Sequence, residues 1–191
     1  GRNADVDQLL FNKFVNAEPK LASLLIENVL QNPRAVMMLN GAMKSMVDTV
    51  ASEKMARGQM KNVGVIPAKV IDKLNALEKA SQSAVIAVRD DDVLHALRDT
   101  KQTKGINLPI EFWEDLPEKL KNPTAILLET DQKLPTLLFI YETEQGKVAV
   151  KMDYEIKLKD ELSKKKLPHK VNLVRTASVF TDKSGMHKYE V

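Results

Sequence analysis

Helical and strand periodicities are segregated along this chain, and this segregation constrains the fold more than any other feature. In the first 60 residues apolar side chains recur every three or four positions, which is typical of amphipathic helices. Pro19 lies near the start of one such run, and Asn32-Pro33 interrupts it. Strand-like runs are concentrated in the last third of the chain, at 125–129, 136–142, 148–154, 171–180 and 187–191, and the run at 171–180 alternates.

The middle of the chain adds one strand and two helices. The β-branched run at 84–88 reads as a buried strand, the segment that carries His95 reads as a helix, and Pro109 opens another helix. Helices that precede a set of hairpin-connected strands favour an α+β fold. We expect helices packed on an antiparallel sheet of four or five strands.

The composition changes near residue 62. Residues 58–64 are polar and rich in glycine, and they predict a boundary between a helical N-terminal segment, 1–62, and a second domain, 63–191. Six of the eight methionines lie between Met37 and Met60. Methionine adapts to irregular surfaces, so this stripe has two interpretations: ordinary core, which is favoured, or a docking face for a partner protein.

Several kinds of chemistry are excluded by what the sequence lacks. Without cysteine, the chain has no disulfide framework, thiol nucleophile or cysteine-based zinc site. The three histidines are too scattered for a metal motif, and Asp90-Asp91-Asp92 is interpreted as helix capping, with Asp90 as the N-cap, rather than as a cation site. The chain has no glycine-rich phosphate loop, nucleophile elbow or apolar run of membrane length. We therefore expect no metal, no cofactor and no membrane partner.

The charge is unevenly distributed. Residues 71–144 contain nine Lys or Arg and fourteen Asp or Glu, whereas residues 145–191 contain eleven and six. A basic C-terminal quarter is compatible with phosphate binding, and equally with a solvated lysine-rich surface.

The candidate site combines a histidine with cations from distant parts of the chain. A metal-free ribonuclease needs a base for the ribose 2′-hydroxyl and cations for the charge that develops on the phosphorane. His95 is the candidate base because histidine titrates near neutral pH, and Lys151 and Arg175 are the candidate cations. Arg98 shares a helix face with His95 and is a candidate RNA contact. The alternative interpretations are a structural histidine, an exposed strand lysine and an ion-paired surface arginine.

Hydroxyl donors for the phosphate lie beside Arg175 in the late strand. Thr176 and Ser178 are the candidates, and Lys170, earlier in the same strand, is a further candidate RNA contact. Adjacent residues of an ideal strand point to opposite faces, so only one of Arg175 and Thr176 faces a cleft unless a bulge intervenes. The hypothesis requires His95, Arg175 and Thr176 to lie in one concave surface.

Residues 63–191 resemble the phage-associated nuclease families of the barnase–EndoU–colicin–RelE (BECR) group, which occur at the C-terminus of MuF-type and polyvalent phage proteins. The resemblance rests on the order of five motifs. They are Val63-Gly64-Val65-Ile66-Pro67, Val85-Ile86-Ala87-Val88-Arg89-Asp90 with His95 downstream, Phe112-Trp113-Glu114-Asp115-Leu116-Pro117, the paired strands 137–141 and 147–151, and Val174-Arg175-Thr176 within 170–179.

This resemblance implies a function as well as a fold. It implies a phage-associated, toxin-like endoribonuclease that cleaves RNA, such as tRNA, by metal-independent attack of the 2′-hydroxyl. His95, Lys151, Arg175 and Thr176 would be catalytic, whereas Arg98, Ser178 and Lys170 would bind RNA. The chain would act in the phage virion or the bacterial cytoplasm, and its N-terminal helices would contact a phage or immunity protein. Two alternatives stay open: a non-enzymatic virion or interaction module of the same fold, and a DNA-binding accessory protein.

Overall fold

Two helices near the start of the described residues begin with proline. The computed structural model describes residues 11–98, 105, 107–131, 133–159 and 162–179. Residues 11–14 are helical, and they are followed by α1 (Pro19–Leu30) and α2 (Pro33–Glu53). Each of these two helices has proline in its first turn and a side-chain cap: Glu18 accepts hydrogen bonds from two backbone amides at the start of α1, and Asn32 accepts one from Arg34 at the start of α2. The break predicted at Asn32-Pro33 is therefore a helix boundary.

Strands and short helices alternate through the rest of the described chain. The last two strands extend as a two-stranded ribbon from the Tyr154–Val171 pair to the Lys159–Lys166 pair. In chain order the elements are β1 (Met60–Val65), α3 (Ala68–Ala76), β2 (Val85–Arg89), α4 (Asp90–Ala96), α5 (Ile110–Glu114), α6 (Leu116–Lys121), β3 (Ala125–Glu129), β4 (Thr136–Tyr141), β5 (Gly146–Lys159) and β6 (Lys166–Val179).

The described strands form one six-stranded mixed sheet in the order β1-β2-β6-β5-β4-β3. The α+β class is confirmed, but the expectation of a purely antiparallel sheet of four or five strands is wrong. β2 pairs in parallel with β6, and β1 adds an antiparallel edge strand beside β2. β1 lies within residues that the sequence indicates as a polar boundary, because its lysine, asparagine and glycine weaken the strand pattern. The expected strand at 187–191 lies outside the described residues.

The predicted boundary at residue 62 falls inside β1. Met43, Met46 and Val47 of α2 are buried in the same core cluster as Val63 and Trp113, so these methionines are core residues. The division of the chain into 1–62 and 63–191 stays a prediction.

Within the described ranges, no helix combines the length and the apolar composition needed to cross a bilayer.

The two faces of the sheet differ in chemistry. Val148, Val150 and Met152 of β5 are buried in the main core, to which helices α1 to α6 all contribute side chains. The alternate residues of β5, Lys147 and Lys151, are only partly buried on the opposite side, which we call the outer face. Because the helices cover the core face, polar side chains of β5 and β6 are left on the outer face.

Candidate active site

A cleft of about 550 Å³ opens on the outer face between α4 and the strands β3 to β6. Its lining brings together five residues that the sequence singles out from three separate segments: His95, Arg98, Lys151, Arg175 and Thr176. Asp91, Asp92, Glu129, Thr136, Leu138, Lys147 and Ala149 complete it. Among its described residues the cleft therefore combines an imidazole, four cationic side chains, hydroxyls and three carboxylates.

The position of His95 follows from how α4 joins the sheet. The helix begins directly after β2 and buries Val93 and Ala96 in the main core, which leaves His95 exposed on the cleft side. The amide Nδ2 of Asn107 donates to the carbonyl of Ala96 and ties the end of the helix to the next segment. His95 is thus a surface residue of a helix that is anchored by its other side chains.

The expected N-cap at Asp90 is wrong. The cap residue is Arg89, whose side chain makes no capping hydrogen bond, and Asp90 is the first helical residue. The buried carboxylate of Asp90 instead accepts a hydrogen bond from the backbone amide of Arg57 at 2.9 Å. This contact joins the start of α4 to the segment that leads into β1.

A β-bulge lies at Arg175. Across the β5–β6 ladder Ala149 pairs with Thr176 and Val150 pairs with Val174, so Arg175 is an extra residue on β6 without a partner on β5. A bulge inserts one residue into the pleat, and the two adjacent side chains then project to the same side. As a result Arg175 and Thr176 both line the cleft. Ser178 pairs with Lys147 and shares this face, but it does not line the cleft.

The guanidinium of Arg175 is held by two neighbours. Its Nη1 lies 3.3 Å from Oδ1 of Asp92, and its Cζ lies 4.8 Å from the ring centroid of Tyr154. Arg89 makes the same pair of contacts, with Nε 3.4 Å from Oδ2 of Asp92 and Cζ 5.6 Å from the Tyr154 ring. Burial raises the pKa of Asp92 above its ordinary value, although the charges of Arg175 and Arg89 oppose that shift. Arg175 is therefore oriented before any ligand binds.

Sequence reasoning missed four charged residues of the cleft: Lys147, Asp91, Asp92 and Glu129. Lys147 has the strand period of Lys151, so the alternation of β5 contains a signal for it. The run of aspartates indicates helix capping, whereas the contact of Asp92 with Arg175 depends on how α4 packs against β6. Glu129 ends β3 opposite Thr136, which is itself opposite Lys151. These three residues are neighbours because of the order of strands β3, β4 and β5, which the local sequence pattern does not predict.

Lys170, like Ser178, is a predicted RNA contact that does not line the cleft. It is exposed on the β5–β6 ribbon and lines a second cavity. Among the described residues there is no group of three or more His, Cys, Asp or Glu side chains arranged to hold a metal ion. No protein-family model, curated protein or solved structure matches this chain.

Proposed function

We propose that this chain is a metal-independent endoribonuclease of BECR-like fold, a phage-associated and toxin-like protein that cleaves RNA in the cleft. The observation that carries the proposal is the bulge at Arg175. It allows Arg175 and Thr176 to line one cavity together with His95 and Lys151. A base, two cations and a hydroxyl are the groups that cleavage through the 2′-hydroxyl requires.

His95 performs the proton transfers in this mechanism. Its imidazole takes the proton of a ribose 2′-hydroxyl, and the 2′-oxygen forms a bond to the adjacent phosphorus. The bond from phosphorus to the 5′-oxygen then breaks, and the imidazolium returns the proton to that oxygen. The products are a 2′,3′-cyclic phosphate and a free 5′-hydroxyl. No further reactant is consumed in this step.

The cations of the cleft stabilise the charge on phosphorus. Arg175, held by Asp92 and Tyr154, presents a planar guanidinium suited to two phosphate oxygens. Lys151 and Lys147 lie on the same face of β5 and add point charges. The hydroxyl of Thr176 donates a hydrogen bond to a non-bridging oxygen. A pre-oriented donor is effective because it does not have to reorganise as charge develops.

The composition favours a structured RNA substrate. Aromatic residues make up 5% of the chain, so few rings are available to stack a long unpaired strand. A folded RNA such as tRNA, bound by shape and backbone, fits this surface better. Arg98 lines the cleft and contacts the RNA backbone there, while the protein acts in the virion or the bacterial cytoplasm.

One observation favours the alternative function, an interaction module. Helix α1 exposes an apolar stripe at helical spacing, formed by Leu21, Leu24, Leu25 and Val29. A contiguous apolar surface of this kind marks a protein contact. The module would bind a phage or immunity protein through this helix, and the cleft would then have no catalytic role.

The test is a cleavage assay on purified tRNA and total RNA. We expect the wild type to yield 2′,3′-cyclic phosphate ends with unchanged rate in excess chelator. His95→Ala and His95→Gln should each lower the rate at least about 100-fold, because neither side chain transfers a proton. Both should change the free energy of unfolding by about 1 kcal/mol or less, since His95 is exposed.

The control is Lys69→Ala, which changes an exposed residue of α3 outside both cavities and should keep full activity. Wild-type protein that cleaves none of these RNAs would contradict the proposal and favour the interaction module. Activity that is lost in chelator and restored by magnesium would contradict the mechanism.

A further inference from the structure

A second cavity opens on the same face of the sheet as the cleft. It has a volume of about 590 Å³ and lies between residues 12–16 and the strands β1, β2 and β6. Ala87 on its floor pairs with Leu173, and Leu173 pairs with Lys151 of the cleft. Directly paired residues project to one side of a sheet, so both cavities belong to the outer face. We call this second cavity the amide groove.

Side-chain amides belong to four of the eight polar residues described in the lining of the amide groove, and the other four are Ser83, Glu155, His169 and Lys170. Asn12, Asn16, Asn62 and Gln82 all line it, and Nδ2 of Asn62 donates to Oδ1 of Asn12 at 2.9 Å. The amides of Asn16 and Gln82 are exposed at its mouth. An amide presents a donor beside an acceptor, which is the pattern that binds N6 and N7 of adenine. The apolar part of the lining includes Met60, Val85, Ala87 and Val171.

The charges around the amide groove suit a planar heterocycle with a phosphate attached. Lys170 is exposed at the rim and supplies a cation. Glu155, which is also exposed, is the only carboxylate among the described residues of the lining, and it pairs across the ribbon with Lys170. In such a groove a flat ring packs against the apolar floor, the amides form hydrogen bonds with the edge of the ring, and the lysine contacts a phosphate.

The spacing along the sheet links the two cavities. Val171 of the groove and Arg175 of the cleft are four residues apart on β6, as are Glu155 and Lys151 on β5. Over a regular strand this spacing would be roughly 13 Å at about 3.3 Å per residue, and the two register shifts of the β5–β6 ladder shorten it. Stacked nucleotides advance about 3.4 Å each along one strand, so no more than about four nucleotides bridge the two cavities.

We propose that the amide groove binds an unpaired adenine base of the RNA substrate, a few nucleotides from the phosphate that is cleaved. Asn16 and Gln82 bind the edge of the base, and Lys170 contacts a phosphate beside it. This inference rests on the proposed RNA cleavage, which it extends to a substrate preference. It also gives the predicted RNA contact Lys170 a place outside the cleft.

The first experiment measures binding without cleavage. Adenosine 5′-monophosphate is titrated into the full chain, and the side-chain amide signals of Asn16 and Gln82 and the methyl signals of Ala87 and Val171 are followed by NMR. We expect saturable shifts at these positions and at least about 5-fold weaker binding of uridine 5′-monophosphate, since a bidentate base contact discriminates by about 1–3 kcal/mol. Equal binding of both nucleotides, or shifts confined to the cleft, would overturn the proposal.

Two matched variants each remove two side-chain amides, one variant inside the groove and the other outside it. Asn16→Ala with Gln82→Ala should abolish the preference for the adenine nucleotide. Asn28→Ala with Asn75→Ala removes two exposed amides on α1 and α3, away from both cavities, and should keep the preference. A preference that survives in the groove variant would also overturn the proposal.

The second experiment measures the base preference in RNA cleavage. Adenine is replaced by uracil at each of the four positions on either side of the cleavage point, and kcat/KM is compared. The kcat/KM of the wild type should fall at least about 5-fold for replacement at one position, and the groove variant should not distinguish the substrates. Equal cleavage of all substrates by the wild type would overturn the groove and leave the nuclease intact. Selective adenine nucleotide binding without any RNA cleavage would support the groove and contradict the proposed nuclease activity.

Discussion

Arg175 and Arg89 form a natural matched pair for testing the cleft. Both guanidiniums contact Asp92 and the ring of Tyr154, and their side chains are 29% and 28% exposed. Only Arg175 lines the cleft. Changing each to lysine keeps the positive charge but removes the planar fork and the stacking on Tyr154. The two substitutions therefore have similar structural effects and differ in their contact with substrate.

The expected magnitudes follow from these contacts. Loss of a partly buried cation–π contact costs about 0.5–1 kcal/mol, so Arg175→Lys and Arg89→Lys should each lower the free energy of unfolding by about 1 kcal/mol or less. In the transition state Arg175→Lys loses one charge-assisted hydrogen bond to phosphate, worth about 1.5–3 kcal/mol. At 1.36 kcal/mol for each tenfold change, kcat should fall about 10- to 150-fold for Arg175→Lys and less than about 2-fold for Arg89→Lys.

Two measurements on each protein decide the outcome. Urea unfolding gives the free energy of unfolding, and cleavage of saturating tRNA gives kcat. If both variants lose activity equally, in proportion to the folded fraction, Arg175 is only a structural partner of Asp92 and Tyr154. A large stability loss confined to Arg175→Lys would also refute the comparison, because the contacts of the two arginines would then not be equivalent.

Two further predictions concern stability. A Cβ at Gly146 would lie 2.7 Å from a methyl of Leu108 and 3.0 Å from the carbonyl oxygen of Ser178, so Gly146→Ala should lower the free energy of unfolding by about 1–3 kcal/mol in urea unfolding. Gly41 lies in open space within α2, so Gly41→Ala should raise the free energy of unfolding by about 0.5–1 kcal/mol. Equal effects of the two substitutions would contradict this prediction. Burial raises the folded-state pKa of Asp92 above its ordinary value of 3.8. Protonation of Asp92 therefore stabilises the folded state, and this contribution is fully present below about pH 3.8 and is lost as the pH rises through the folded-state pKa. The free energy of unfolding of Asp92→Asn relative to wild type should therefore increase between about pH 3.5 and pH 7, and a decrease over that range would show the opposite sign of the shift.

The sequence predicts some parts of the candidate site better than others. Chemical type points to His95, Lys151, Arg175 and Thr176, and the structure brings them to one cavity. The catalytic roles of these four residues stay predictions. The sequence does not indicate roles for Asp92 and Glu129 in the cleft, because the partner of a carboxylate depends on how the neighbouring elements pack.

The local elements follow from the sequence alone. Helix starts at Pro19 and Pro33 follow from proline geometry and from caps within three residues, and strands β3 to β6 follow from apolar or alternating runs bounded by turn signals. The parallel pairing of β2 with β6 and the bulge at Arg175 were decided only by the tertiary structure. Strand order and register join residues that are far apart in the chain, and packing of the sheet against the helices selects among the alternatives. The cleft depends on both, since one extra residue in the pleat places Arg175 beside Thr176.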